Sequence, residues 1–214
     1  MNYIRNYTGW NLVNEATDPE SKLTFGSESD RTNHKMAKHY ITKNSGNQKE
    51  VISAIKSSGK SLGLSDNQIA AIIGNVGREN GFKWKVISKN HTDPKNSAVN
   101  IGIISWQGSR KDNLINKLKK KGLYKEGSGI TGGISDVISV MMNHIKDEMD
   151  TGKYGVSSFN DFKSNSSTKA AADSLYKYIK YSMGKYNSPD KYFHAWKNHM
   201  WADAAKAVDL ITYT

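Results

Sequence analysis

The stretch from Ser65 to Gly81 constrains this chain more than any other, because it carries signals for both ends of one helix and for its buried face. Ser65-Asp66-Asn67-Gln68 reads as a capping box, in which the Ser65 and Gln68 side chains satisfy backbone donors left open at a helix start. Ile69, Ile72, Ile73 and Val76 follow at helical spacing on one face, and Gly81 is placed to end the helix. Glu79 falls in the last turn, where unsatisfied carbonyls carry partial negative charge. A carboxylate is disfavoured there, and with Phe82 and Trp84 adding desolvation its pKa is expected to rise. A carboxyl group that holds its proton is what a general acid needs.

The rest of the chain reads as further helices around one polar interruption. Val51, Ile52 and Ile55 with Leu62 and Leu64 predict a helix ending near Gly59 or Gly63. Residues Trp84 to Asn100 turn polar, with His91, Asp93-Pro94 and Asn96, and read as a loop or small hairpin. The apolar run Ile101-Gly102-Ile103-Ile104-Ser105-Trp106-Gln107-Gly108 leads into a helix starting near Ser109-Arg110-Lys111-Asp112. Ile134, Val137, Ile138, Met141, Met142, Ile145 and Met149 form a strongly periodic helix fit to be a central core element. Ser167 or Thr168 caps another through Leu175 and Ile179, and Trp196 to Ile211 reads as the last. Residues 1–45 are polar and irregular and form an N-terminal arm, leaving 46–214 as one catalytic-sized domain. The expected fold class is therefore mainly α, a helical domain with a small β-hairpin.

Charge and composition narrow the partners. A net charge of +11 favours an anionic partner: nucleic acid, an acidic lipid surface or a bacterial cell-wall polymer. The basic residues are spread along the chain, apart from Lys117 and Lys119-Lys120-Lys121, and no nucleic-acid motif is present, so no specific nucleic acid is expected. No apolar run approaches the roughly 20 residues of a membrane helix, and no secretory signal opens the chain. A soluble monomer made in the cytoplasm is expected. The absence of cysteine excludes disulfides, thiolate metal sites and a cysteine nucleophile. His91 with Asp93 is too small a set for a metal, so neither metal nor cofactor is expected.

A carboxyl at a helix end, a second carboxylate in a polar hairpin and a helical body together match what glycoside cleavage requires, one group protonating the leaving oxygen while the other stabilises positive charge or activates water. Asp93 is the only acidic residue between Glu79 and Asp112, and its polar setting would keep it ionised. Each residue also has an ordinary reading. A Glu in a last turn is commonly a solvated helix residue, Asp before Pro a turn device, and Trp84 and Trp106 core residues.

The combination settles on one family. Ile72-Ile73-Gly74-Asn75-Val76-Gly77-Arg78-Glu79-Asn80-Gly81-Phe82, followed by Asn100-Ile101-Gly102-Ile103-Ile104-Ser105-Trp106-Gln107-Gly108-Ser109-Arg110, resembles the phage tail lysozymes and phage endolysins of the lysozyme-like superfamily, with a goose-type layout. Asn80 stands where Ser is usual, and the polar residue beside Trp106 is displaced. The resemblance implies packed helices with a small β-hairpin forming one wall of a cleft. It implies a muramidase that cleaves the N-acetylmuramic acid to N-acetylglucosamine linkage of peptidoglycan, with Glu79 as general acid and Asp93 assisting. Ser105, Trp106 and Gln107 would lie at the cleft floor, with Asn100 and His91 nearby, contacting sugar faces and acetamido groups. The basic surface would hold the enzyme near the anionic bacterial envelope. A lytic transglycosylase and a non-catalytic wall or tail structural protein are the rival readings. A free endolysin released from the host cytoplasm at lysis and a virion tail component both fit.

Overall fold

The computed structural model describes residues 47–92 and 97–179. The expected N-terminal arm, Asp93 and the expected helix from Trp196 to Ile211 lie outside the described residues. Within them the chain is mainly helical, as its periodicity requires. Helix α1 (Gln48–Ser61) is followed by α2 (Asp66–Asn80), a short α3 (Trp84–Ile87), α4 (Gly108–Lys120), α5 (Ile134–Met149), α6 (Phe159–Lys163) and α7 (Thr168–Ile179).

The capping box at the start of α2 forms, with the Ser65 N–H donating to Gln68 Oε1 at 2.6 Å. The Gln68 amide also donates to the Lys163 carbonyl at 3.1 Å, so one local signal doubles as a tertiary tie to the turn after α6. Ile69, Ile72, Ile73 and Val76 are completely buried, and so are Ala70, Ala71 and Asn75 within a percent. This helix is therefore enclosed on every side rather than on one stripe. It packs on α7 and α1, while α1 lies along α5. Gly59 stands where α1 meets α2: a Cβ there would come within 2.7 Å of Ile69 Cγ1, so the two backbones approach only because the residue has no side chain. Helix α5 buries Val137, Ile138, Met141, Met142, Ile145 and Met149. It is the central element its spacing predicts.

The polar interruption is more ordered than a loop. Phe82 and Ile87 are fully buried, and the turn they anchor forms α3. A β-hairpin then pairs β1 (His91–Thr92) with β2 (Val99–Asn100), His91 opposite Asn100 and Thr92 opposite Val99. A second hairpin, β3 (Tyr124–Lys125) with β4 (Gly129–Ile130), was not foreseen. It closes over the end of α3, where the Ile130 N–H donates to the Ser88 carbonyl at 3.3 Å and the Gly102 N–H donates to the Ile87 carbonyl at 3.0 Å. No helix of the described residues is long and apolar enough to cross a membrane.

Candidate active site

Glu79 is the penultimate residue of α2, and the chain turns sharply after it. Gly81 (φ 60°) takes the left-handed conformation that ends a helix, and Phe82 (φ 57°) repeats it although it carries a side chain. For a non-glycine residue that backbone costs on the order of 1 kcal/mol, and the complete burial of the Phe82 ring offsets it. Glu79 is thereby left half-buried at the helix end, with its Oε1 inaccessible to solvent.

Asn80 builds the wall beside it. The Asn80 Oδ1 accepts from the Phe82 N–H at 3.1 Å, and its Nδ2 donates to the Ile103 carbonyl at 3.1 Å, both in the interior. The first bond fixes the left-handed turn, and the second ties the end of α2 to the loop Ile101–Trp106. That loop closes on itself: the Trp106 N–H donates to the Ile101 carbonyl at 2.9 Å and the Ile101 N–H returns a bond of 3.2 Å. Gly102 (φ +85°) allows the closure, since a Cβ there would lie 2.6 Å from Trp106 Cε3. Ser105 also has a left-handed backbone (φ 57°) and is half-buried. Two non-glycine residues with this strain, Phe82 and Ser105, thus flank the Asn80 to Ile103 tie.

The residues singled out from sequence fall in different places. Asn100 is buried, ends β2 and runs directly into the Ile101–Trp106 loop, and its Oδ1 has no hydrogen-bond partner. His91 pairs with it across the hairpin and is half-buried. Gln107 is exposed at the N-terminus of α4 and makes no side-chain cap there. Trp106 overturns the expectation of a sugar-contacting ring: it is 2% exposed, so neither face is free to stack on a pyranose. Its indole N–H points inward and donates to Glu148 Oε2 at 2.8 Å.

Glu148 is the residue that the sequence reading missed, and it is the hub of a buried polar cluster. Arg110 grips its carboxylate through two parallel bonds, Nε to Oε1 at 2.9 Å and Nη2 to Oε2 at 2.8 Å. The Tyr178 hydroxyl donates to Oε2 as well. The Arg110 guanidinium lies against both the Tyr154 and Tyr178 rings, 4.6 and 4.7 Å from their centres. Burial works against charge at Glu148, but the Arg110 guanidinium outweighs it and holds the carboxyl below its ordinary range. Burial raises the Tyr178 phenol well above its ordinary value, against the nearby Arg110 charge and with that of Glu148. His144, one turn before Glu148, packs on Trp106 with ring centres 5.3 Å apart, and its Nε2 lies 3.2 Å from the Arg110 carbonyl. Burial pushes its pKa down to about 4, with the Glu148 charge opposing and Lys117 assisting. The signal for this cluster was present in sequence. His144 and Glu148 lie at the same three-and-four spacing as Met141 and Ile145, on the stripe that α5 buries.

Two surface depressions lie away from Glu79. One is lined by Lys89, Asn90 and the turn of the second hairpin, the other by polar residues of α4 and α5. Asp93 follows β1 in sequence, outside the described residues. Among the described residues no group of three or more His, Asp and Glu side chains is arranged to hold a metal ion. The sequence model of the phage tail lysozymes matches residues 46–207. No curated protein and no solved structure matches the chain.

Proposed function

Because the chain belongs to the phage tail lysozyme family, we propose that it is a peptidoglycan-degrading muramidase in which Glu79 is the general acid. The observation that carries this reading is the position of Glu79: at the end of an enclosed helix, half-buried, beside a wall that Asn80 pins through Ile103. A carboxyl so placed is reachable by a polymer from outside while one oxygen is kept from water. Glu79 gives its proton to the bridging oxygen of the N-acetylmuramic acid to N-acetylglucosamine β-1,4 linkage as the bond from that oxygen to the anomeric carbon breaks. Positive charge then spreads over the sugar ring, and water adds to the anomeric carbon with loss of a proton to a carboxylate. Asp93, the residue that follows β1 in sequence, is the candidate to stabilise that charge. Asn100, Ser105 and His91 are candidates for contact with acetamido and hydroxyl groups.

The net charge of +11 supports attraction to an anionic envelope, weakening as salt rises. Residues 46–214 act as the catalytic domain in this reading, with 1–45 as an arm. The family's description supports delivery on the virion tail beside release as a free endolysin. Glu79→Gln tests the assignment: clearing of purified peptidoglycan is expected to vanish while the circular dichroism spectrum and Tm stay those of the parent. Retained clearing would remove Glu79 from the mechanism. Mass analysis of the fragments released by the parent is expected to show reducing ends; 1,6-anhydro ends would instead make the enzyme a lytic transglycosylase acting through the same acid.

A further inference from the structure

Asn75 occupies the interior of α2, one helical turn before Glu79, and it is completely buried. Its neighbours Ala71, Ile72 and Val76 are buried and apolar. Neither its Oδ1 nor its Nδ2 has a hydrogen-bond partner, and among the described residues it alone has both side-chain polar atoms in that state. Asn is also a poorer helix former than the aliphatic residues that would fit this position. On hydrogen-bonding grounds alone, an apolar side chain would suit this position better.

One turn on, on the same face of α2, stands the acid. In a helix each side chain leans toward the N-terminus, so a residue lies over the one four positions before it. Glu79 therefore leans back over Asn75, and its Oε1 is buried on the way. An amide suits that place chemically. It both donates and accepts, so it can serve a carboxyl group in its protonated and its ionised form, and a general acid passes between the two in each turnover. An aspartate would add a like charge, and an aliphatic side chain could serve neither form.

We infer that Asn75 is a positioning residue for the general acid: its side-chain amide holds the Glu79 carboxyl, through one shared buried water, in the orientation from which the proton is delivered. This rests on Glu79 being the acid. Both amide atoms are unbonded to protein, and a water between two polar side chains is the ordinary way such groups are satisfied.

The test compares Asn75→Leu and Asn75→Ser in the full chain, using thermal unfolding and the pH dependence of kcat and KM on soluble peptidoglycan fragments. Asn75→Leu removes the amide and with it the water bridge, and thermal unfolding checks that the variant is folded. The same change is expected to lower kcat by about tenfold to a hundredfold, leave KM within about twofold and move the pH limb of kcat set by the acid. Asn75→Ser leaves room for water with a donor and an acceptor, and is expected to recover most of that loss and restore the pH limb. A folded Asn75→Leu variant with unchanged kcat would make the amide a tolerated packing defect and overturn the inference. Should Asn75→Leu not fold, Asn75→Ala carries the same test, and a parent-like kcat and pH limb in that variant would overturn the inference. Should Glu79→Gln remain active, the underlying reading fails; should Glu79→Gln be dead and Asn75→Leu fully active, only this inference fails.

Discussion

His144 makes the stability of this protein depend on pH between about 6.5 and about 4. Its ring is 1% exposed, it packs on Trp106, and burial drives its pKa from 6.5 down to about 4. The unfolded chain therefore takes up a proton at His144 near pH 6.5 that the folded chain refuses until about pH 4. Stability is fully present above the unfolded value and falls as the pH drops through the interval. Those two pKa values give a loss of about 2 kcal/mol between pH 7 and 5, growing to about 3 kcal/mol by pH 4. The Glu148 contribution has the same sign, because its carboxyl is held low, but it is lost only at more acid pH. Urea unfolding followed by tryptophan fluorescence at pH 7 and pH 5 measures the effect, with ΔG from linear extrapolation. His144→Gln is the control: its amide can still donate to the Arg110 carbonyl, and it cannot be protonated. The variant is expected to be less stable at pH 7 through lost packing on Trp106, yet to lose about 2 kcal/mol less than the parent between the two pH values. Equal losses in both proteins would refute the assignment of the pH dependence to His144.

Arg110→Met is expected to destabilise by about 3–5 kcal/mol, because it strands a buried Glu148 carboxylate. Arg110→Lys is expected to recover only part of that, since an ammonium cannot supply the two parallel bonds; chemical denaturation of both variants checks this. Gly102→Ala is expected to cost at least about 2 kcal/mol, from the left-handed backbone together with a Cβ pressed to 2.6 Å from the Trp106 ring. Because the same loop is pinned beside Glu79 by Asn80, clearing of peptidoglycan by the folded fraction of this variant should fall as well.

Much of this fold could be read directly. The capping box at Ser65, the stop at Gly81 and the period of α5 are local patterns, and each leads to its element with bounds within a few residues. The position of Glu79 at a helix end follows from the same patterns. The second hairpin escaped because its strands are two residues each, too short to show an alternation, and its place is set by backbone bonds to Ser88 and Leu123. Trp106 is the sharper case. Its spacing beside a polar residue suits a sugar platform and a core residue equally, since periodicity says that a side chain is apolar and not what lies opposite it.

The sequence by itself determined the longer helices of the described residues, where α2 stops, and that one carboxyl ends a helix enclosed in apolar neighbours, because backbone hydrogen bonding and burial periodicity act over three or four residues. Tertiary structure alone decided that Trp106 and Arg110 turn inward onto Glu148, about forty residues away, and that Asn80 fastens the wall beside Glu79 to Ile103. A buried charge must find its counter-charge wherever packing brings one, and nothing within a helical turn of Glu148 announces that its partner is Arg110.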